Sequence, residues 1–454
     1  MGDANVGDLL ALDRDVAQAA LALTRWRFAL AQDPTAHEGE APLESSRRVA
    51  SKSTWDALGR LPASTADAHL VDGLRRWVYT LLQARLAHAD EVAWAHATKI
   101  PRGVVEGDDP RRVSWREAWR DTVLARTPGE AQERLDAAAE AGPHLAAIAA
   151  RIDERRAEVA KRLQLTHPWE PIVGLPARVV RASAGRFLDA TDDLWRSLQA
   201  TWLKRAVGAS AVIHAAVARE AGGGWPGRLT PRWLHEIFGA HSTGLQVDLP
   251  VLPITIGAAS FARGLYAFGF ALRVAMAPRT MPFAMAREPG FVGAHRLAFV
   301  FGALGADPAF HIRALGVGQR AAHAQARLLG CTALVDARLH AARVWLGGDD
   351  GPLPRELFEE IGERLFGLPL DPRLRGAWPR ARDDEPARYI ALVEAGALRE
   401  SLRQRFDVDW FSNPRAWSEL RAEGAEPARQ PVDEAVVGGQ GVDALALAFE
   451  SALG

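Results

Sequence analysis

The chain has 454 residues, of which 48% are hydrophobic and 24% charged, and its net charge is −1. This is the balance of a soluble globular protein of roughly two or three domains, and it gives no global electrostatic reason to bind nucleic acid or an anionic membrane. A single cysteine, Cys331, excludes internal disulfides, cysteine-based zinc sites and iron–sulfur clusters. All but four of the 55 basic residues are arginine, a usage that suggests GC-rich bacterial coding. The first residues, "MGDANVGDLLALDRDVAQAA", carry neither a basic nor an apolar leader segment, so the expected location is cytoplasmic.

Helical periodicity begins at once. "LLALDRDVAQAALALTRWRFALAQ" and "ADAHLVDGLRRWVYTLLQARLAHADEVAWAHAT" are long amphipathic patterns, separated by the loop "DPTAHEGEAP" and followed by a second loop, "IPRGVVEGDDPRR". Thr127 then caps a helix, Pro128 suits its first position, and Glu130 can complete a capping box. Pro143 is expected to break or kink that run. The glycine-rich "AGGGWPG" near Gly222 is the best hinge, dividing an N-terminal helical region, 1–222, from a C-terminal one, 223–454, unless the two form one continuous domain.

"LQVDLPVLPITI" is the one extended piece, confined by Pro250 and Pro253 to an edge or a loop. "ITIGAASFARGLYAFGFALRVAM" is the most membrane-like stretch. It contains Arg263 and Arg273, and a charge near the bilayer centre costs roughly 3 kcal/mol, so a buried core helix is expected and no membrane association. Asp307 and Pro308 open one or two long helices over 307–346, and "DDEPARYIALVEAGALRESLRQRF", "NPRAWSELRAEG" and "GVDALALAFESALG" complete an all-α chain.

Two segments invite a metal reading. In "LHEIFGAH", His235-Glu236 lacks a second histidine one turn on, where Gly239 stands, and His241 falls about 600° around the helix. In "GAHRLAFVFGAL", His295 is followed by Arg296, where a His-Glu-x-x-His zinc helix has its general base, and by Phe299, where it has its second ligand. Arginine keeps its proton up to a pKa of ~12 or more, and a phenyl ring has no lone pair for a metal. A unit charge ~5 Å from a divalent ion is repelled by roughly 6–7 kcal/mol at an effective dielectric of ~20. His295, His311, His323 and His340 could instead converge across two helices, since three imidazoles suffice for zinc. Serine-hydrolase, P-loop and dinucleotide signatures are missing.

The succession "RRAEVAKRLQLTHPWEPIVGLP", "GRFLDATDDLWRSLQATW", "GAHRLAFVFGALGADPAF", "LLGCTALVDARLHAARVWL" and "DDEPARYIALVEAGALRESLRQRFDVDWFSNPRAWSELRAEG" resembles the helical zinc peptidases of the oligopeptidase F, thimet oligopeptidase and carboxypeptidase Taq kind, over residues 130 to 425. The resemblance implies a large helical array around a central cleft, with 293–304 as the metal-binding helix. Only His295 keeps a ligand identity. A third ligand, a glutamate on the following helix in such families, has no match, and His311 and His323 are the only good ligand types there. The resemblance also implies a tyrosine that polarises a substrate carbonyl. Tyr389 is available for that role, although its helix suggests a ring packed in the interface with the hydroxyl at the rim.

The expected function is therefore that of a metallopeptidase-like pseudoenzyme with a degenerate metal motif at His295, Arg296 and Phe299. It would hold no cofactor and bind a peptide or protein partner in its cleft. Two alternatives stand beside it. One is an active zinc peptidase with ligands from His295, His311 and His323; the other is a helical scaffold without peptidase ancestry. The 15 tryptophans, often beside arginine, fit helix packing or a groove for an acidic partner.

Overall fold

Several helices start where short polar side chains take up the free amides of a first turn. Thr127, Asp307 and Asn413 each accept a hydrogen bond from a first-turn amide, and a proline follows each of them. The full capping box lies elsewhere than expected. Ser114 and Glu117 bond each other's amides, whereas the Glu130 carboxylate reaches past Thr127 to the amide of Arg126 at 2.7 Å. Pro143 does not break its helix, which runs from Pro128 to Arg162.

The computed structural model describes residues 6–61, 68–105, 110–203, 207–217, 231–247, 258–347, 353–428 and 432–454. The glycine-rich hinge, the boundary at 222/223 and both prolines of the extended piece lie outside them. Among the described residues the chain is all-helical but for one two-stranded antiparallel sheet, Pro101–Val105 with Arg111–Ser114. That hairpin stands where the sequence reads as a loop. Val105 and Val113 face inward, and Gly103 lets the strand lie directly on the backbone of Ala137 in the Pro128–Arg162 helix. A side chain at Gly103 would collide with that carbonyl.

Two apolar cores support the array. The larger gathers the Val6–Gln32, Ala68–Ala97, Pro128–Arg162 and Ala177–Thr201 helices with parts of Gln319–Leu346 and Glu385–Phe406. The second is aromatic. Phe238 stacks on Phe268 with ring centres 4.7 Å apart, and Phe301, Phe310, Trp410 and Trp417 close around them. The membrane-like stretch forms the Ala258–Met276 helix, and among the described residues no helix is long and apolar enough to cross a membrane. Arg273, 7% exposed, is satisfied by the carbonyls of Gly424 at 3.0 Å and Glu426 at 3.2 Å.

Three features position the cleft. The Ala258–Met276 and Val292–Gly302 helices approach closely at Gly269, where a Cβ would stand 2.6 Å from the Leu297 carbonyl oxygen. Buried Arg338 joins Asp192 at 2.6 Å and the Arg364 carbonyl at 2.8 Å, tying the Gln319–Leu346 helix to its neighbours. Asp13, in the first helix and 5% exposed, accepts the amides of Phe283 at 2.7 Å and Ala284 at 2.8 Å.

Candidate cleft site

The Ala258–Met276, Val292–Gly302, Gln319–Leu346 and Glu385–Phe406 helices contribute side chains to a cavity of about 2490 Å³. Small-molecule pockets occupy roughly 300–1,000 Å³, so this space exceeds that range. His295, Phe299, Tyr266, Asp336 and His340 all line it.

His295 is 5% exposed and its Nδ1 is hydrogen-bonded to the Tyr266 hydroxyl. Burial, aided by the positive charges of Arg388 and His340, lowers the imidazole to about 3. Burial raises the Tyr266 phenol. The phenol therefore keeps its proton, and it shares one hydrogen bond with Nδ1 of the neutral ring, the donor being set by the imidazole tautomer. Phe299, one turn on, puts its edge against Tyr266 at 5.1 Å between centroids and against His340 at 5.8 Å. Arg296 turns to the other side of the helix and pairs with Glu423.

His340 stands in the opposite electrostatic state. Burial alone would lower it, but Asp336 and Glu385 outweigh that and raise it to about 9. Nδ1 bonds Glu385, which has no exposed side-chain surface, and Nε2 lies 3.6 Å from Asp336. Burial would raise the Glu385 carboxyl, but His340 and Arg343 reverse this and hold it at about 2; the exposed Asp336 carboxyl is held at about 2 by the same two cations. At neutral pH the cleft thus contains an imidazolium between two carboxylates, beside a neutral imidazole hydrogen-bonded to a phenol.

Zinc does not fit this arrangement. His295 turns Nδ1 to a phenol, Phe299 has no donor atom, and both nitrogens of His340 face carboxylates. Among the described residues no group of three or more His, Cys, Asp or Glu side chains is placed to hold a metal ion.

The other histidines do not join His295. His311 is wholly buried, with Nε2 2.7 Å from the Gly305 carbonyl, and His323 is exposed on the Gln319–Leu346 helix. Tyr389 is interior rather than at a rim, its hydroxyl 3.0 Å from Ser183 Oγ. His235 and Glu236 are exposed. The sequence reading misses Tyr266, Asp336 and Glu385. Asp336 and His340 carry one readable signal, an acid and a histidine four residues apart on one helix face. Phe291, at φ 53°, sits in the left-handed region at the start of the His295 helix and lines the cavity, its ring against Phe270 at 5.6 Å.

No family model and no curated protein matches the chain. Solved structures match its fold. A provisionally assigned oligoendopeptidase F from Bacillus anthracis str. Ames has a TM-score of 0.57 at 10% identity, over 88% of this chain and 81% of that one. PZ peptidase A with an inhibitor also has a TM-score of 0.57 at 10% identity, over 88% and 83%. A provisionally assigned peptidase from Chlamydophila abortus has a TM-score of 0.53 at 11% identity, over 97% and 92%. The chain thus has the helical architecture of these peptidases across nearly its whole length.

Proposed function

We propose that this protein is a non-catalytic relative of the helical zinc peptidases that binds a peptide or protein segment in its cleft. One observation carries the reading. The helix that holds His295 offers no converging donors to a cation and no proton acceptor to a bound water, because Arg296 faces Glu423 and Phe299 packs on Tyr266 and His340. His295 is itself a poor base, lowered to about 3 by burial and by neighbouring positive charge.

What remains is a large space with aromatic walls in an architecture whose solved neighbours are named as peptidases. A fold alone does not carry an activity. The size of the cavity and its mixture of apolar and charged surface are what favour a peptide as occupant.

Elemental analysis of the purified protein, combined with incubation against quenched-fluorescence peptides, tests this. We expect no stoichiometric zinc, no chelator-sensitive cleavage, and peptides that are retained by the protein and recovered intact. Near-stoichiometric zinc with hydrolysis that chelation abolishes, and that His295→Ala removes, would overturn it.

A further inference from the structure

We infer that the occupant of the cleft is an acidic peptide segment, in which carboxylates alternate with apolar side chains. This rests on the reading of the cleft as a peptide-binding site. Among the described residues, seven arginines line the cavity but only two carboxylates do, Asp336 and Asp384, and neither lysine nor glutamate is present. The excess is local, since the whole chain carries a net charge of −1.

The two acids are already engaged. Asp384 accepts from Arg388 at 2.6 Å, and Asp336 lies 3.6 Å from the His340 imidazole. Several arginines, by contrast, have positive charge to spare. Arg263 and Arg287 are exposed to the cavity and carry no ion pair among the described residues. Among the described residues Arg279 bonds only the neutral amide oxygen of Gln246, at 3.0 Å. Arg343 reaches Glu385 at 3.5 Å, but that carboxylate also serves His340 and Arg382.

Guanidinium groups take carboxylates in two-pronged, charge-assisted hydrogen bonds, and do so best where water is partly excluded. Enclosing walls also focus such a field on an approaching anion. Between these charges the lining is alanine, leucine, valine, methionine and phenylalanine, including Phe270, Phe291 and Phe299. The aliphatic walls reward the apolar side chains of a peptide, whereas the bases of a nucleic acid would gain only by stacking on the few phenylalanines, so charge and apolar surface together favour an acidic peptide.

Fluorescence anisotropy with full-length protein tests the inference, using a fluorescein-labelled peptide of alternating Glu and Leu, a twin with Gln in place of Glu, and an oligothymidylate of equal charge. In ~0.15 M salt, where the Debye length is about 8 Å, the Glu peptide should bind at least about tenfold tighter than its Gln twin and weaken as salt rises. The double variant Arg263→Gln/Arg287→Gln should lose about tenfold in affinity for the Glu peptide, with an unchanged melting transition and a shallower salt dependence. Equal binding of the two peptides, or a double variant that binds like the parent, would overturn the inference while leaving the peptide-binding cleft in place. Tighter binding of the oligothymidylate than of the Glu peptide would overturn it in favour of nucleic acid. Failure of both peptides to bind would overturn the cleft reading along with it.

Discussion

Glu385, with no exposed side-chain surface, is hydrogen-bonded to Nδ1 of His340, whose side chain is 6% exposed. Neither charge could be left alone at that depth, since an isolated buried ion costs several kcal/mol. Removing one partner by Glu385→Ala should therefore destabilise the protein by about 3–5 kcal/mol, measured by urea unfolding. A loss below about 1 kcal/mol would mean that water reaches the pair.

The two cleft histidines should give opposite pH dependences. His340 is raised from 6.5 to about 9, so its stabilising contribution is fully present below pH 6.5 and is lost as pH rises through about 9. His295 is lowered from 6.5 to about 3, so its neutral form stabilises above pH 6.5 and that contribution is lost as pH falls towards 3. In thermal melts, His340→Gln should differ most from the parent below pH 6.5, with the gap narrowing towards pH 9. His295→Gln should flatten the decline of stability below pH 6.5. Identical pH profiles for the two variants would contradict this assignment.

Arg296→Ala tests whether the arginine belongs to the cleft. Its partner Glu423 lies on the other side of the helix, and their side chains are 21% and 36% exposed. The expected loss is at most about 1 kcal/mol, as for other partly exposed pairs, with peptide affinity unchanged by anisotropy. A marked fall in affinity would place the guanidinium in the binding surface after all.

Gly269→Ala should act at a distance of one helix turn from Tyr266. The added Cβ would stand 2.6 Å from the Leu297 carbonyl oxygen and 2.9 Å from the Ala298 Cα, so the helices must part. Overpacking of this kind costs about 1–3 kcal/mol. The hydrogen bond between Tyr266 and His295 should loosen with it, which a rise in the His295 pKa by NMR titration would report. An unchanged pKa and melting temperature would show that the helix pair yields freely.

Asp13→Ala should remove two charge-assisted hydrogen bonds, to the amides of Phe283 and Ala284. A loss of about 1.5–3 kcal/mol is expected, since such bonds to a charged group exceed neutral ones. Hydrogen exchange at residues 283 and 284 should accelerate more than at residues in the aromatic core. Uniform acceleration would indicate global rather than local opening.

Helix starts are legible from sequence because caps are local. Thr127, Asp307 and Asn413 each act on an amide two or three residues ahead. The hairpin is less legible, for its strands have five and four residues and owe their burial to the Pro128–Arg162 helix. Of the two outcomes expected at Pro143, a break or a kink, the break does not occur, and the helix continues from Pro128 to Arg162 despite the missing donor. At the site, His295 stands out because a known motif frames it. Its partners do not, since Tyr266 lies 29 residues earlier and the bond from His340 to Glu385 spans 45 residues, each pair joining two different helices.

The contact from Asp13 to Ala284 spans 271 residues of chain. A ribosome adding about 5–20 residues per second needs on the order of 15 to 55 s to deliver the second partner after the first. Throughout that interval the first helix rests on the Ala68–Ala97 helix without its anchor, so nascent chains that stop short of residue 284 should exchange the amides of that helix pair faster than longer ones do.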